Sequence, residues 1–268
     1  MLRIRLVFWY MLYCVRIGAR PWRYFQLNAP WYNNHKKLFS KLEMDAHILD
    51  QWRLPQIPLD DHSQPSSWPV FLKPEWGQNA KGIRIAENAE ALQRLRPELL
   101  ASKIPYLLQN AAPGKREFEV FGIRRSAESD DLGVLSVTET LNNSTESWPV
   151  NSILNSDTRH KSIQLNSHEQ HMLSQQLKQL PAFRIARVGL RADSVQAMLR
   201  GEFKIIEINL FVPMPLYLLD EQIPLQTRHE FIRDAMYKLA QLTKSVPLTQ
   251  QRKSIFWPMF FLNYRVHS

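Results

Sequence analysis

The hydrophobic pattern between residues 187 and 210 consists of two apolar runs separated by Leu199-Arg200-Gly201. A three-residue hairpin loop commonly carries Gly at its last position, so this stretch predicts a hairpin. With that loop, Asp193 pairs with Glu207, and Arg191 pairs with Asn209. Side chains alternate across a strand, so these four polar residues are predicted to share one face. The opposite, apolar face would carry Leu190, Ala192, Ile206, Ile208 and Leu210.

The polar face of this predicted hairpin carries two acids, an amide and an arginine, which are costly to bury without a counter-ion. Carboxylate and amide oxygens suit Mg²⁺, which keeps open positions for phosphate oxygens. The alternative is a solvated polar face on an edge hairpin, because half-polar antiparallel strands are common. The hairpin alone leaves both interpretations open.

A second informative pattern covers residues 68–86. A short strand, Pro69 to Leu72, is followed by Lys73, by a loop bracketed by Gly77 and Gly82, and by a second strand. Glycines let backbone N–H groups approach an anion closely, and a lysine adds positive charge. No Gly-Lys-Ser/Thr opens a helix, so this is not a P-loop. A glycine-rich hairpin without a ligand is the alternative.

The remaining pattern alternates helices with strands and predicts an α+β protein. Ser167 is the expected N-cap of one helix, with Gln170 completing a capping box. On the strand 117–124, Glu117, Glu119 and Phe121 are predicted to share a face. Helices are predicted over residues 35–52, 87–100, 167–180 and 224–244, strands over 106–109, 117–124 and 134–140, and a polar loop over 142–157.

Composition and charge narrow the function classes. The 268 residues are 44% hydrophobic, and the single cysteine, Cys14, excludes an intramolecular disulfide. The net charge of +9 is uneven, because residues 1–42 hold five arginines, three lysines and no acid. The rest of the chain is close to neutral. This argues against a nucleic-acid-binding groove, which needs basic residues along the fold.

Residues 1–24 are basic and aromatic, and their apolar run from Leu6 to Val15 is about half of a bilayer span. Flanking arginines and no small-residue cleavage site argue against a signal peptide. Two interpretations stay open. The segment is either an interfacial helix resting on anionic lipid or a helix packed on the fold.

The stretches FLKPEWGQNAKGI, LRAD and IIEIN, in this order, resemble the ATP-grasp superfamily, most closely its D-alanine–D-alanine ligase-like branch. The resemblance covers about residues 36–242. It implies two α+β lobes with ATP and Mg²⁺ between them. The implied divisions are a basic aromatic segment 1–35, a small lobe 36–106, a large lobe 107–250 and an aromatic tail 251–268. The Rossmann-like domain that precedes the lobes in this family is expected to be absent or reduced.

The resemblance also implies roles for particular residues. It assigns ATP as the cofactor, with Mg²⁺ or alternatively Mn²⁺. The implied ATP contacts are Lys37, Lys73, Gly77, Asn79, Gly82, Gln109, Ala112 and Glu117; the implied catalytic residues are Arg191 and Lys161; and the implied metal ligands are Asp193, Glu207 and Asn209.

The function implied by the resemblance is an ADP-forming carboxylate–amine ligase. It would act through an acylphosphate on an amino-acid or peptide-like substrate, in the cytoplasm. The alternatives are a nucleotide-binding pseudoenzyme and a membrane-associated scaffold. The expected partners are small carboxylates and amines, not nucleic acid. Peripheral contact with the inner, anionic face of a membrane through residues 1–24, and a homodimer that completes the site, are further expectations.

Overall fold

The computed structural model describes residues 2–77, 80–250 and 255–257. The predicted α+β class is confirmed. The helices are α1 Leu2–Ile17, α2 Lys41–Asp45, α3 Ala89–Leu100, α4 Ser167–Leu177, α5 Val195–Leu199 and α6 Leu225–Ser245, with 3₁₀ turns at Pro21–Gln26, Ala29–Trp31 and Leu216–Leu219. The strands are β1 Gln56–Pro58, β2 Val70–Pro74, β3 Arg84–Ala86, β4 Tyr106–Asn110, β5 Arg116–Arg124, β6 Leu132–Asn142, β7 Thr158–Ile163, β8 Ile185–Ala192 and β9 Lys204–Asn209.

The strands form two antiparallel sheets. The smaller sheet has the order β1-β4-β2-β3 and the larger sheet the order β7-β6-β5-β8-β9. The predicted strands at 69–72, 106–109, 117–124 and 134–140 are therefore confirmed, each within a few residues. A polar face of the larger sheet, carrying Glu117 and Glu119, is turned toward the smaller sheet.

The predicted hairpin between residues 187 and 210 is wrong in its loop and its register. Gly201 has a φ of 81°, as a turn glycine does, but it follows the short helix α5. Ser194 caps that helix by accepting a hydrogen bond from the Ala197 backbone N–H. Arg187 therefore pairs with Asn209, and Gly189 pairs with Glu207. Asp193 lies beyond the end of β8 and is exposed.

The same change of register affects the apolar face. The pairing of β8 with β9 shifts by one residue after Gly189. As a result Ile205 lies in the core, at 1% exposure, while Ile206 faces the opposite side. Leu190, Ala192 and Leu210 are buried, as predicted.

Two helix predictions need correction. The helix expected over 35–52 is limited to α2, because Asn33 and Leu38 exchange backbone hydrogen bonds and hold a turn between them. Ser40 caps α2 by accepting from the Glu43 backbone N–H. In α4 the N-cap is Asn166, not Ser167, and the capping box is completed by Glu169, not Gln170.

The segment before the small sheet is held against the large sheet. Trp52 is fully buried and stacks on Phe203, with ring centroids 4.7 Å apart. Its Nε1 donates to the Gly201 carbonyl at 2.8 Å. The Asn28 side chain donates to the carbonyls of Ile185 and Leu210. These contacts fix the edge of the large sheet that carries β8 and β9.

Helix α1 packs against α6, so residues 1–24 do contact the fold. Tyr10 is buried, and its hydroxyl donates to the Pro21 carbonyl and bonds Thr243 Oγ1. Cys14 is fully buried in the same contact. The opposite face of α1 is exposed. Among the described residues, no helix has both the length and the apolar character needed to span a bilayer.

The predicted tail, 251–268, lies mostly outside the described residues. Within 255–257, the Ile255 backbone N–H donates to the Phe25 carbonyl, and Phe256 packs edge-on against the Phe25 ring. This part of the tail therefore contacts the N-terminal segment.

Candidate functional site

A cleft lies between the two sheets and is lined by residues of both. Polar and charged side chains come from β2 and β4 on one side and from β5 to β9 on the other. The charged and amide side chains lining it include Arg3, Lys41, Lys73, Lys81, Gln109, Glu117, Glu119, Asn151, His160, Arg187, Arg191, Glu207 and Asn209.

Two lysines, one buried and one half-buried, form the basic wall of the cleft. Lys73, on β2, is 4% exposed, and its Nζ donates to Gln109 Oε1 at 2.6 Å. Gln109 in turn donates to the Ile206 carbonyl, which connects the two sheets. Burial lowers the pKa of Lys73 to about 8. Lys41 Nζ donates to the Pro74 carbonyl at 2.8 Å, and burial lowers its pKa as well.

Opposite the lysines, two glutamates share one arginine. Arg187 Nε lies 3.1 Å from Glu119 Oε2, and Arg187 Nη2 lies 3.8 Å from Glu207 Oε1. Glu119 Oε2 is buried. Because the 3.1 Å contact lacks hydrogen-bond geometry, this oxygen accepts no hydrogen bond from the described residues. Asn209 Nδ2 donates to Glu207 Oε1 at 2.7 Å. The four side chains form one cluster.

The two glutamates differ in proton affinity. Burial raises the pKa of Glu119 to about 8, against the opposing charge of Arg187. Burial would also raise the pKa of Glu207, but the positive charges of Arg187, Lys41 and Lys73 outweigh it and hold the pKa below its ordinary value. The negative charge of the pair therefore resides mainly on Glu207 near neutral pH.

Gly189 lies between the two glutamates. Glu119, Gly189 and Glu207 stand side by side on the neighbouring strands β5, β8 and β9. A Cβ atom at residue 189 would lie 3.2 Å from Glu119 Oε1 and 3.3 Å from Glu207 Cγ. The side chains of both glutamates thus lean over the glycine, into space that a larger residue would fill.

A second row of side chains crosses the sheet one step further along. Glu117, on β5, accepts from Asn151 Nδ2 at 3.1 Å, and burial raises its pKa. Its neighbour on β8 is Arg191, whose guanidinium carbon lies 5.8 Å from the centre of the Trp148 ring. Thr140 and His160 extend the row onto β6 and β7.

The structure brings together most of the residues that the sequence singled out. Those that line the cleft are Lys73, Gly77, Gln109, Ala112, Glu117, Arg191, Glu207 and Asn209. Asn79 lies outside the described residues. Gly82 does not line the cleft; its φ of 80° and the hydrogen bond from Tyr106 Oη to its carbonyl give it a place in the β2–β3 turn.

Three implied site residues lie elsewhere. Lys37 is on the exposed turn before α2, whereas Lys41 reaches the cleft. Lys161 is exposed because it points to the other side of β7 from its neighbour His160, which lines the cleft. Asp193 is exposed past β8, and its expected place opposite Glu207 is taken by Gly189.

Four further residues line the cleft that were not predicted from the sequence: Lys41, Glu119, His160 and Arg187. The alternation 117–119–121 already placed Glu119 beside Glu117, which was a usable signal. Arg187 is four residues before Arg191, and an even shift keeps the face of a strand unchanged.

The oxygen donors of the cleft fit a hard divalent cation. Glu207, Asn209 and Glu119 offer two carboxylates and an amide, and Mg²⁺ needs only one or two protein carboxylates beside phosphate oxygens. Within the described ranges there is no group of three His, Cys, Asp or Glu side chains placed to hold a metal alone. The two carboxylates and the amide leave coordination positions that phosphate oxygens of a ligand could fill.

Comparison with known proteins gives structural matches only; no family profile and no curated protein sequence matches the chain. The D-alanine–D-alanine ligase of Bacillus anthracis superposes with a TM-score of 0.50 at 12% identity, covering 76% of this chain and 66% of that chain. The L-amino acid ligase of Bacillus licheniformis gives 0.49 at 13% identity, covering 80% and 50%. The D-alanine–D-alanine ligase of Helicobacter pylori gives 0.48 at 15% identity, covering 78% and 59%.

The chain therefore has an ATP-grasp fold like that of the D-alanine–D-alanine ligase of Bacillus anthracis, the fold that the sequence resemblance implied. It spans between half and two thirds of the length of the structures it matches. At these identities the likeness concerns the fold alone.

Proposed function

We propose that the protein is an ATP-dependent, ADP-forming carboxylate–amine ligase whose cleft holds ATP with Mg²⁺. The observation that carries the proposal is the opposition of buried Lys73 and half-buried Lys41 to Glu207, Asn209 and Arg187 across one cleft of an ATP-grasp fold. Buried lysines without a carboxylate in direct contact are matched by phosphate groups, which supply the missing negative charge.

In the proposed reaction, a substrate carboxylate oxygen attacks the γ-phosphorus of ATP, and ADP leaves. The amine nitrogen of the second substrate then attacks the acyl carbon of the acylphosphate, loses a proton and expels inorganic phosphate. Lys73 and Lys41 would contact the phosphates, and Arg187 and Arg191 would offset charge on the transferred phosphoryl group. Glu207 and Asn209 would hold Mg²⁺, which supplies further charge neutralisation at the phosphate oxygens.

The proposal also gives a place to the neighbouring residues of the cleft. Gln109 and Ala112 lie where the chain crosses from the small to the large sheet, and Glu117 would accept from a ribose hydroxyl. Phe211, Val212 and Met214 form an apolar wall beside the acid cluster, which suits an amino acid or peptide with an apolar side chain and helps to exclude water from an acylphosphate.

The proposal is tested with the full chain by measuring ADP and phosphate release with Mg²⁺ and a panel of amino acids and dipeptides. Release of ADP is expected to require both a carboxylate and an amine, and hydroxylamine is expected to trap the activated acyl group as a hydroxamate. The Lys73→Met variant serves as the control and is expected to be inactive.

Two outcomes would contradict this function. ATP binding in a calorimetric titration without ADP release for any substrate pair would favour the alternative of a nucleotide-binding pseudoenzyme. If the protein does not bind ATP in the presence of Mg²⁺, the cleft is not an ATP site.

A further inference from the structure

The first inference concerns the acid that completes the metal site, and it rests on the proposed function. The sequence pattern R-x-D places an acid at Asp193, but the strand register puts Gly189 opposite Glu207. Strand β8 therefore supplies no acid next to Glu207 and Asn209. The second acid comes instead from the other neighbour of β8, strand β5.

We infer that Glu119, on β5, replaces the missing β8 acid as a ligand of the divalent cation. Adjacent strands are about 4.8 Å apart, so glutamates on β5 and β9 are separated by the width of β8. Only a residue without a side chain at position 189 lets them approach each other. Glu119 Oε1 and Glu207 Cγ lie within 3.3 Å of the point where a Cβ of residue 189 would be.

The two oxygens of Glu119 have different surroundings. Oε2 faces Arg187 Nε at 3.1 Å, whereas Oε1 is directed over Gly189, toward Glu207. Glu119 is 9% exposed and belongs to the cleft lining. One oxygen can therefore keep the arginine while the other binds a cation shared with Glu207 and Asn209. Carboxylates binding through a single oxygen are ordinary ligands of Mg²⁺.

The test measures Mn²⁺ binding to the full chain by electron paramagnetic resonance, in the presence of β,γ-imido-ATP. Glu119→Gln keeps the shape of the side chain and is expected to weaken Mn²⁺ binding at least tenfold, since loss of even an outer partner of a metal ligand costs about 10-fold to 100-fold. Asp193→Asn is the matched control and is expected to leave binding unchanged. Thermal unfolding confirms that both variants are folded.

A relocation variant makes the test sharper. Gly189 is not among the residues with a positive φ, so its backbone accepts a side chain. Combining Gly189→Asp with Glu119→Ala removes the crowding at Glu119 Oε1 and returns the acid to β8. This double variant is expected to bind Mn²⁺ more tightly than Glu119→Ala alone.

Each outcome separates the two proposals. Unchanged Mn²⁺ binding in Glu119→Gln, or weakened binding in Asp193→Asn, would overturn the role of Glu119 while leaving the ATP site intact. Failure of the unaltered chain to bind either Mn²⁺ or the nucleotide analogue would overturn the ATP site as well.

A second inference rests on a different observation, the exposed face of α1. Six apolar side chains recur on this face every three or four residues, as on one side of a helix. Their exposed fractions are Ile4 72%, Val7 60%, Phe8 59%, Met11 45%, Leu12 44% and Val15 76%. They lie opposite Tyr10 and Cys14, which pack toward α6.

Arginines border this apolar face. Arg5, Arg16 and Arg20 are exposed, Arg3 lines the cleft, and residues 1–42 contain no acid. A second copy of the chain docked along α1 would bring arginines against arginines. An anionic lipid surface instead provides opposite charge at the helix borders and an apolar layer beneath the stripe. We propose that the exposed face of α1 lies on an anionic bilayer surface.

The test is co-sedimentation of the full chain with vesicles of phosphatidylcholine, with or without phosphatidylserine. Binding is expected only to the anionic vesicles and is expected to be released by high salt, which screens the attraction. Phe8→Glu is expected to weaken binding at least tenfold. Leu248→Glu, at a residue that is 85% exposed and is not part of the apolar face, is the control and should bind as the unaltered chain does.

Three results would overturn this second proposal. The first is equal vesicle binding by Phe8→Glu and the unaltered chain. The second is a concentration-dependent dimer that Phe8→Glu dissociates, because the face would then be a contact between copies. The third is binding that occurs only after removal of residues 258–268, because the tail would then cover the face.

Discussion

Replacing Arg187 by methionine is expected to destabilise the protein by about 1–3 kcal/mol, the cost of leaving a buried polar group without its partner. Arg187 is the cation shared by Glu119 and Glu207, which lie 3.1 and 3.8 Å from its guanidinium nitrogens. Its removal leaves buried Glu119 without its partner, while Glu207 keeps the nearby charges of Lys41 and Lys73. A loss of this size is a large fraction of the 5–15 kcal/mol by which domains are stable.

The same variant is expected to show an altered pH dependence of stability. Without Arg187, the pKa of Glu119 rises further above its value in the unfolded chain, and the pKa of Glu207 is lowered less than before. The folded variant then binds more protons than the unfolded one, so its free energy of unfolding increases as the pH falls. Part of the loss at pH 7 is therefore expected to be recovered at pH 5.

Urea unfolding at the two pH values measures both effects. Arg191→Met is a suitable control, because Arg191 lines the same cleft but forms no ion pair with the described residues. It is expected to cost about 1 kcal/mol or less, in the range of an ordinary substitution. Equal losses for the two arginine variants would show that Glu119 and Glu207 do not depend on Arg187.

Replacing Lys73 by methionine is expected to weaken ATP binding by about 10-fold to 100-fold, because a charge-assisted contact contributes roughly 1.5–3 kcal/mol. Lys73 is almost fully buried and reaches the cleft between the two sheets. Lys41→Met is expected to weaken binding similarly. Lys37→Met, on the exposed turn, should leave ATP binding unchanged and serves as the control for both lysine variants.

Binding of ATP should also take up a proton near pH 8. In the free protein burial lowers the pKa of Lys73 to about 8, so its amine is half neutral at that pH. A bound phosphate favours the charged form and raises this pKa again. ATP affinity is therefore expected to fall as the pH rises through 8.

Calorimetric titrations at pH 8 in two buffers of different ionisation enthalpy measure this uptake. The Lys73→Met variant is expected to lose most of it, whereas Lys37→Met should retain it. Identical proton uptake by the unaltered chain and Lys73→Met would contradict a lysine–phosphate contact at this residue.

Much of this architecture was predictable from the alternation of apolar and polar residues and from the glycines and prolines between the elements. The strand before Lys73, the acidic strand β5 and the two strands β8 and β9 were found because period-two patterns are local. The predicted Arg191 lies in the cleft, and Arg187, four residues earlier, lies on the same face because an even shift does not change the side of a strand.

The errors arose where a local signal had two structural solutions. Gly201 was interpreted as a hairpin glycine, but a glycine with positive φ also follows a helix, and Ser194 starts α5. Around Lys37 the apolar spacing fitted a helix. In the structure the backbone pairing of Asn33 with Leu38 forms a turn there, and the helix begins only at Lys41. His160 and Lys161 could not be distinguished until the pairing of β7 with β6 fixed their faces.

Residues 119 and 189 are coupled by the space they share. A side chain at 189 would meet Glu119 Oε1 at 3.2 Å, so an acid on β8 and a glutamate on β5 crowd each other. Conversely, glycine at 189 with a neutral residue at 119 leaves Glu207 as the single acid of its row. A side chain introduced at 189 alone crowds Glu119, and loss of the acid at 119 alone leaves Glu207 as the single acid. The two positions are therefore expected to change together as this fold diverges, and the spacing between site acids along the chain is a poor guide to where the second one lies.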